Sequence, residues 1–188
     1  MDQGRFFVPL DPAAHRHHVG IAGGSGWTQQ SAQALQRFAE NWKLPVGNAF
    51  RFQDTFDNHH PLYAGDVGIG VNPKLAARIK EADLILAIGP RLGEMTTSGY
   101  TLLTPPKAKQ KLIHIHASAE ELNRVYQADL AINATMNAAA RSLEVLTAPT
   151  ELPWAAWSEA ANADFVANLV PQSLPGDIDM HAIVMSIK

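Results

Sequence analysis

The 188-residue chain has no cysteine. That excludes disulfides, thiolate metal sites and a thiol nucleophile, and it suits a reducing compartment. The chain also lacks a dominant charge: 15 Lys and Arg stand against 18 Asp and Glu, a formal net charge of -3, with no basic cluster. Nucleic acid and anionic membrane therefore fit poorly as partners. No apolar stretch approaches the ~18 residues of a membrane span. The opening MDQGRFFVPL lacks the basic start and long apolar core of a signal peptide. A soluble cytoplasmic protein is the expectation.

Familiar catalytic motifs are missing as well. Ser25 is not the centre of a G-x-S-x-G elbow, because Trp27 stands where the last glycine belongs. No G-K-[ST] follows a glycine loop. A G-x-G-x-x-G fingerprint beginning at Gly24 would need glycine where Gln29 stands. Glu81, Glu94, Glu120 and Glu121 are scattered, and no complete catalytic constellation emerges. His15, His17 and His18 read as solvated, since no carboxylate or later histidine has ligand-like spacing.

What is present is an alternation of strands and helices. Hydrophobic residues are 46% and charged residues 18%, enough for one domain with a real core. Leu84 to Ile88 is a short run, apolar on both faces, as in a parallel strand between helices. Gly89 to Glu94 follows at the end where open α/β sheets bind ligands. His18–Ala22 predicts another strand, running into Gly23-Gly24-Ser25-Gly26 and a helix near 28–43 through Ala32, Leu35, Phe38, Ala39 and Trp42. Such a glycine turn either offers backbone N–H groups to a phosphate or lets helix and strand pack closely. Residues 44–49 predict a strand, and 64–72 a second glycine-rich loop. Asn72 and Pro73 predict a helix start through Leu75, Ile79 and Ala82.

Beyond Glu94, residues 95–106 read as a long loop with an extended piece at Tyr100–Leu103. Lys111–His116 predicts a strand. The His114 and His116 pair reads as hydrogen-bonded structure, with metal binding as the alternative. Ser118 and Glu121 predict a capping box and a short helix burying Leu122, Val125 and Tyr126. Residues 129–133 predict the last strand, and 135–147 a helix through Met136, Ala140, Leu143 and Leu146. The expected fold is α/β, a Rossmann-like, doubly wound, mostly parallel sheet of five or six strands with helices on both faces. Residues 1–17 form an arriving linker and 18–147 the domain. Residues 148–188 hold a linker, a helix at 153–168 with Trp154 and Trp157 in need of a partner surface, a second linker, and a helix start capped by Asp179.

Four motifs in this order resemble a family: Ile21-Ala-Gly-Gly-Ser-Gly-Trp27, His60-Pro-Leu-Tyr-Ala-Gly65, Leu84-Ile-Leu-Ala-Ile-Gly-Pro-Arg-Leu92 and Leu112-Ile-His-Ile-His116. Together they resemble the central domain of thiamine-diphosphate-dependent enzymes of the acetolactate synthase type, over about residues 18–147. The resemblance implies a parent that joins or cleaves carbon skeletons next to a carbonyl, as in 2-oxo acids. It implies an N-terminal domain with an activating glutamate, and a C-terminal domain holding Mg²⁺ and the diphosphate through G-D-G and later asparagines. Residues 178–188 would be the truncated start of the latter. Gly65-Asp66-Val67 departs from G-D-G, and no asparagine lies between Arg91 and Thr96. The chain alone is thus expected to be non-catalytic and not to bind thiamine diphosphate or Mg. Its expected partners are the N- and C-terminal domains of one polypeptide, in a parent homodimer or homotetramer.

In such domains the strand ends hold FAD, or ADP, or no nucleotide. Carried over by position, the cofactor-binding residues implied are Gly23, Gly24, Ser25, Gly26, Gly89, Arg91, Leu92 and His116. His116 stands where flavin-binding relatives often carry a ribose-binding acid. Arg91 either pairs with a phosphate or makes a salt bridge to Glu94 or an inter-domain contact. Two other readings stay open: a stand-alone nucleotide (FAD, ADP or NAD) module or oxidoreductase, and a non-catalytic oligomerisation or docking domain using an exposed Trp154/Trp157 helix.

Overall fold

A computed structural model describes residues 16–171 and 178–187. Most of the arriving linker, with His15, and part of the second late linker lie outside the described residues. Six strands, all parallel, form one sheet: β1 (His18–Ala22), β2 (Val46–Ala49), β3 (Tyr63–Val67), β4 (Leu84–Ile88), β5 (Lys111–His116) and β6 (Leu130–Asn133). Their order is β3-β2-β1-β4-β5-β6. This is the doubly wound α/β arrangement, and the winding reverses between β1 and β4. Those two strands are buried along their whole length, as a central parallel pair requires.

Helices follow the strands where the sequence can start and stop them. Thr28 caps α1 (Gln29–Trp42) in a reciprocal box: the Ser31 amide donates to Thr28 Oγ1, and the Thr28 amide donates to Ser31 Oγ. Lys43 ends it in the left-handed region, just before Pro45. Asn72 Oδ1 accepts from the Lys74 amide to begin α2 (Pro73–Glu81), with Pro73 in the first turn. Leu75 and Ile79 of α2 pack on Val19, Ile21 and Ile85 on one face of the sheet. On the other face, Leu35 and Phe38 of α1 join Met136 and Ala139 of α3 (Met136–Glu144) over Leu86, Ile88 and Ile115.

The last stretch of the domain is a strap. Helix α4 (Ala155–Asn168) lies along the edge strand β3 and against α2. Trp154 at its start is 1% exposed. It stacks on His18 at 4.0 Å and donates its indole N–H to the Trp42 carbonyl at 2.6 Å. Asp164 accepts from Lys74 Nζ at 2.9 Å and Arg78 Nη2 at 2.6 Å, and Arg78 lies over the Trp157 ring. The tryptophans' partner surface is therefore this domain itself. A docking role resting on an exposed Trp154/Trp157 helix is corrected by this packing. Helix α5 (Met180–Ile187) begins as expected, with Asp179 Oδ1 accepting from the His181 amide.

Five local expectations are corrected. Residues 63–67 form strand β3, so the second glycine loop shrinks to 68–72. Ala64 and Val67 are buried there, and Gly65 sits in the strand at φ 115°. Tyr100–Leu103 is a set of turns, not an extended piece, because Ser98 and Tyr100 take left-handed conformations. The short helix after Ser118 is one 3₁₀ turn, Ala119–Glu121, without a side-chain cap. Glu121 is drawn to arginines instead of back to the Ser118 amide. Helix α3 stops at Glu144, which leaves Leu146 on the surface. Helix α4 begins at Ala155, two residues after the expected start.

Candidate functional site

The strand order sends every carboxyl end to one side. At the reversal, the β1 loop meets the β4 loop. A methyl on Gly24 would strike the Gly89 carbonyl, and one on Gly89 would strike the Gly23 carbonyl and Met136 Sδ. Both residues have positive φ, 77° and 88°. The Trp27 indole N–H donates to the Gly23 carbonyl at 2.8 Å. The glycines therefore bring two backbones into contact across the switch point. The first-turn amide of Ser31 is already taken by the Thr28 cap. Ser25 and Gly26 stand exposed at the rim, and Gly26 has open space where a side chain would go.

One strand further on, between the ends of β4 and β5, lies a cleft of about 220 Å³. Arg91, Leu92 and Gly93 form one wall, with Tyr100 beside them. Glu121, Arg124 and Tyr126 form the other, and His114 lies at the base. Glu121 Oε1 is 2.8 Å from Arg124 Nη1 and 3.5 Å from Arg91 Nε. The Glu121 side chain is 12% exposed, whereas those of Arg91 and Arg124 are 73% and 64% exposed. Arg91 thus pairs with Glu121 and not with its near neighbour Glu94. Asn123, at φ 60°, turns the chain into Arg124, and its Oδ1 accepts from the Ala128 amide at 2.8 Å.

His114 is buried, and its Nε2–H donates to the Pro90 carbonyl at 2.9 Å. Burial pushes the imidazole below its ordinary range, against the hydrogen bond to Pro90, which raises it. A neutral ring follows, so the cleft's positive charge comes from its arginines. His116 Nδ1 accepts from the Ser118 amide at 3.0 Å and does not line the cleft. Of the eight residues expected to bind a cofactor, Arg91 and Leu92 line the cleft. Gly23, Gly24 and Gly89 meet at the switch point, Ser25 and Gly26 edge it, and His116 stands apart. Sequence reasoning missed Tyr100, Glu121 and Arg124 as wall residues, because nothing local announces that residues 121–124 fold back beside residue 91.

Among the described residues, none fit for a Mg²⁺-diphosphate site are found together. Asp66 of the G-D-V stretch accepts from the Tyr63 hydroxyl at 3.0 Å. Among the described residues no three His, Asp or Glu converge as metal ligands. No step of thiamine chemistry is assigned to this chain. No helix among the described residues is long and apolar enough to cross a membrane.

Comparison with known proteins agrees with this geometry. The family model described as the thiamine pyrophosphate enzyme, central domain, matches residues 13–143. The chain is 30% identical to the sulfoacetaldehyde acetyltransferase of Alcaligenes xylosoxydans xylosoxydans, over 78% of this chain and 24% of that protein. It is 35% identical to the 3D-(3,5/4)-trihydroxycyclohexane-1,2-dione hydrolase of Clostridium perfringens, over 46% of this chain and 14% of that one. A second such hydrolase, from Bacillus cereus, is 32% identical over 57% of this chain and 16% of its own length. The chain thus spans about a quarter or less of these relatives. A match across most of a doubly wound domain is what a homologous central domain gives, and the chain belongs to the thiamine pyrophosphate enzyme family as its central domain.

Proposed function

We propose that this chain is the non-catalytic central domain of a thiamine-diphosphate- and Mg²⁺-dependent enzyme acting next to a carbonyl. The rest of the polypeptide supplies the activating glutamate and the metal-diphosphate site, and the parent is a cytoplasmic homodimer or homotetramer. The family match over residues 13–143 carries this reading. The relatives' names span acetyl transfer and hydrolysis, so the reaction class is wider than acetolactate synthesis. Carboligation or decarboxylation of a 2-oxo acid remains the first activity to assay. Within the parent, this domain scaffolds its neighbours and holds an adenine nucleotide at the carboxyl end of its sheet. What supports the nucleotide is the arginine-lined cleft beside a switch point of the dinucleotide-binding order.

The same strand order would also suit a stand-alone nucleotide module or oxidoreductase. The incomplete G-x-G-x-x-G pattern, with Gln29 where the last glycine belongs, disfavours that alternative. Incubation with thiamine diphosphate, Mg²⁺ and pyruvate tests the scaffold reading. The purified chain is expected to leave pyruvate unconsumed, and saturable consumption would overturn its non-catalytic status. Calorimetric titration with ADP and FAD tests the nucleotide: no heat from either near millimolar concentration would remove it.

A further inference from the structure

The Arg91–Glu121–Arg124 cluster is arranged unlike an ordinary surface ion pair. Two guanidiniums, each well exposed, converge on one carboxylate that is nearly enclosed. Glu121 accepts one close hydrogen bond, from Arg124 at 2.8 Å, and stands only within ion-pair range of Arg91 at 3.5 Å. One carboxylate leaves most of the ten N–H donors of two arginines unused by it. A phosphate has the oxygens to take bidentate bonds from both, and such charge-assisted bonds are the stronger kind. The cleft's wall charges sum to one positive unit with Glu121 in place and two without it.

We propose that this cleft is a site for a compact phosphate-bearing anion, and that the Glu121 carboxylate is a built-in competitor occupying it. The site rests on the reading of the carboxyl end as a nucleotide surface, and it narrows that reading. A volume of about 220 Å³ lies below the ~300–1,000 Å³ usual for small-molecule pockets. It admits a phosphate or diphosphate group but not an enclosed flavin dinucleotide. Glu121 sits on a single 3₁₀ turn, an element held by few hydrogen bonds, so the carboxylate can leave when a better anion arrives. Tyr100, on the cleft wall, is left-handed without being glycine, the kind of backbone strain that concentrates at ligand sites. The ligand's source is free diphosphate or the diphosphate of a nucleotide.

The test is calorimetric titration of the wild-type chain and the variants Glu121→Gln, Glu121→Ala and Arg124→Ala. The probes are inorganic phosphate, diphosphate, ADP and FAD. Glu121→Gln keeps the side chain's shape, so a folding defect in Glu121→Ala leaves the test intact. Both Glu121 variants are expected to bind diphosphate about tenfold more tightly than wild type, and Arg124→Ala to lose it. ADP matching diphosphate identifies the phosphates as the recognised part, and ADP binding tighter identifies a nucleotide source. Unchanged or weaker diphosphate affinity in Glu121→Gln would overturn the competitor role. Silence of phosphate, diphosphate and ADP with every variant would overturn the site. If diphosphate tightens as expected while ADP and FAD do not bind, the site stands and the nucleotide reading falls.

Discussion

At the scale of single residues, two glycines set how the ligand end of the sheet is built. Gly24 and Gly89 hold positive φ and touch each other's backbone neighbours, so a methyl on either meets a carbonyl. Gly89→Ala should cost about 3 kcal/mol, from strain plus displaced backbone. Gly26→Ala, with left-handed strain but open space, should cost only about 1 kcal/mol. Urea unfolding midpoints compare the two; equal losses would mean that the loops do not depend on contact. The sequence already marked these glycines as a turn, and it left open whether they cradle phosphate or permit close packing. The approach of the β4 loop, 65 residues on, shows that the turn packs closely, and no local pattern encodes that approach. Arg91 is the converse case. Its place beside the β4 end was readable, but its partner Glu121 was not, because the nearer Glu94 offered an equally good pairing in sequence.

At the scale of elements, the strap helix α4 makes the clearest predictions. Trp154 is buried against His18 and Trp42, so Trp154→Ala should cost about 3–5 kcal/mol. A loss under about 1 kcal/mol in the same urea assay would mean that α4 is not part of the folded unit. The Asp164 carboxyl is held below its ordinary range, first by Lys74 and also by Arg78, against the opposing effect of burial. A carboxyl with a lowered folded pKa stabilises fully above its unfolded value, roughly 4, and the benefit is lost as pH falls through the folded value. The clamp on α2 should therefore hold at neutral pH and weaken only in acid. Asp164→Asn should cost about 1 kcal/mol near pH 7 and progressively less once pH falls below about 4, measured by unfolding at pH 7 and in acid. Equal cost at both would show that shape rather than charge holds the strap. Most elements were legible because their signals are local: Thr28 and Asn72 as caps, apolar runs for β1 and β4, Asp179 before α5. Strand β3 was not, since three glycines and an aspartate within the nine residues 64–72 mimic a loop. Its strand character comes from pairing with β2 and from cover by α4, which are tertiary facts. The 3₁₀ turn at 119–121 departs from the expected helix because Arg124, three residues on, and the distant Arg91 hold Glu121 away from the local cap.

At the scale of the whole molecule, the order β3-β2-β1-β4-β5-β6 and the family match describe a doubly wound central domain of the thiamine pyrophosphate enzyme family. Its carboxyl end has a cleft lined by Arg91 and Arg124, and among the described residues no metal-ligating cluster. On the proposed reading, thiamine chemistry lies outside this chain. Calorimetric titration with thiamine diphosphate in excess Mg²⁺ tests it most directly. The prediction is no saturable heat that depends on Mg²⁺; heat from the diphosphate alone would persist without the metal and vanish in Arg124→Ala. Saturable, Mg²⁺-dependent binding that survives Arg124→Ala would contradict the account, because it would place a cofactor site within these residues.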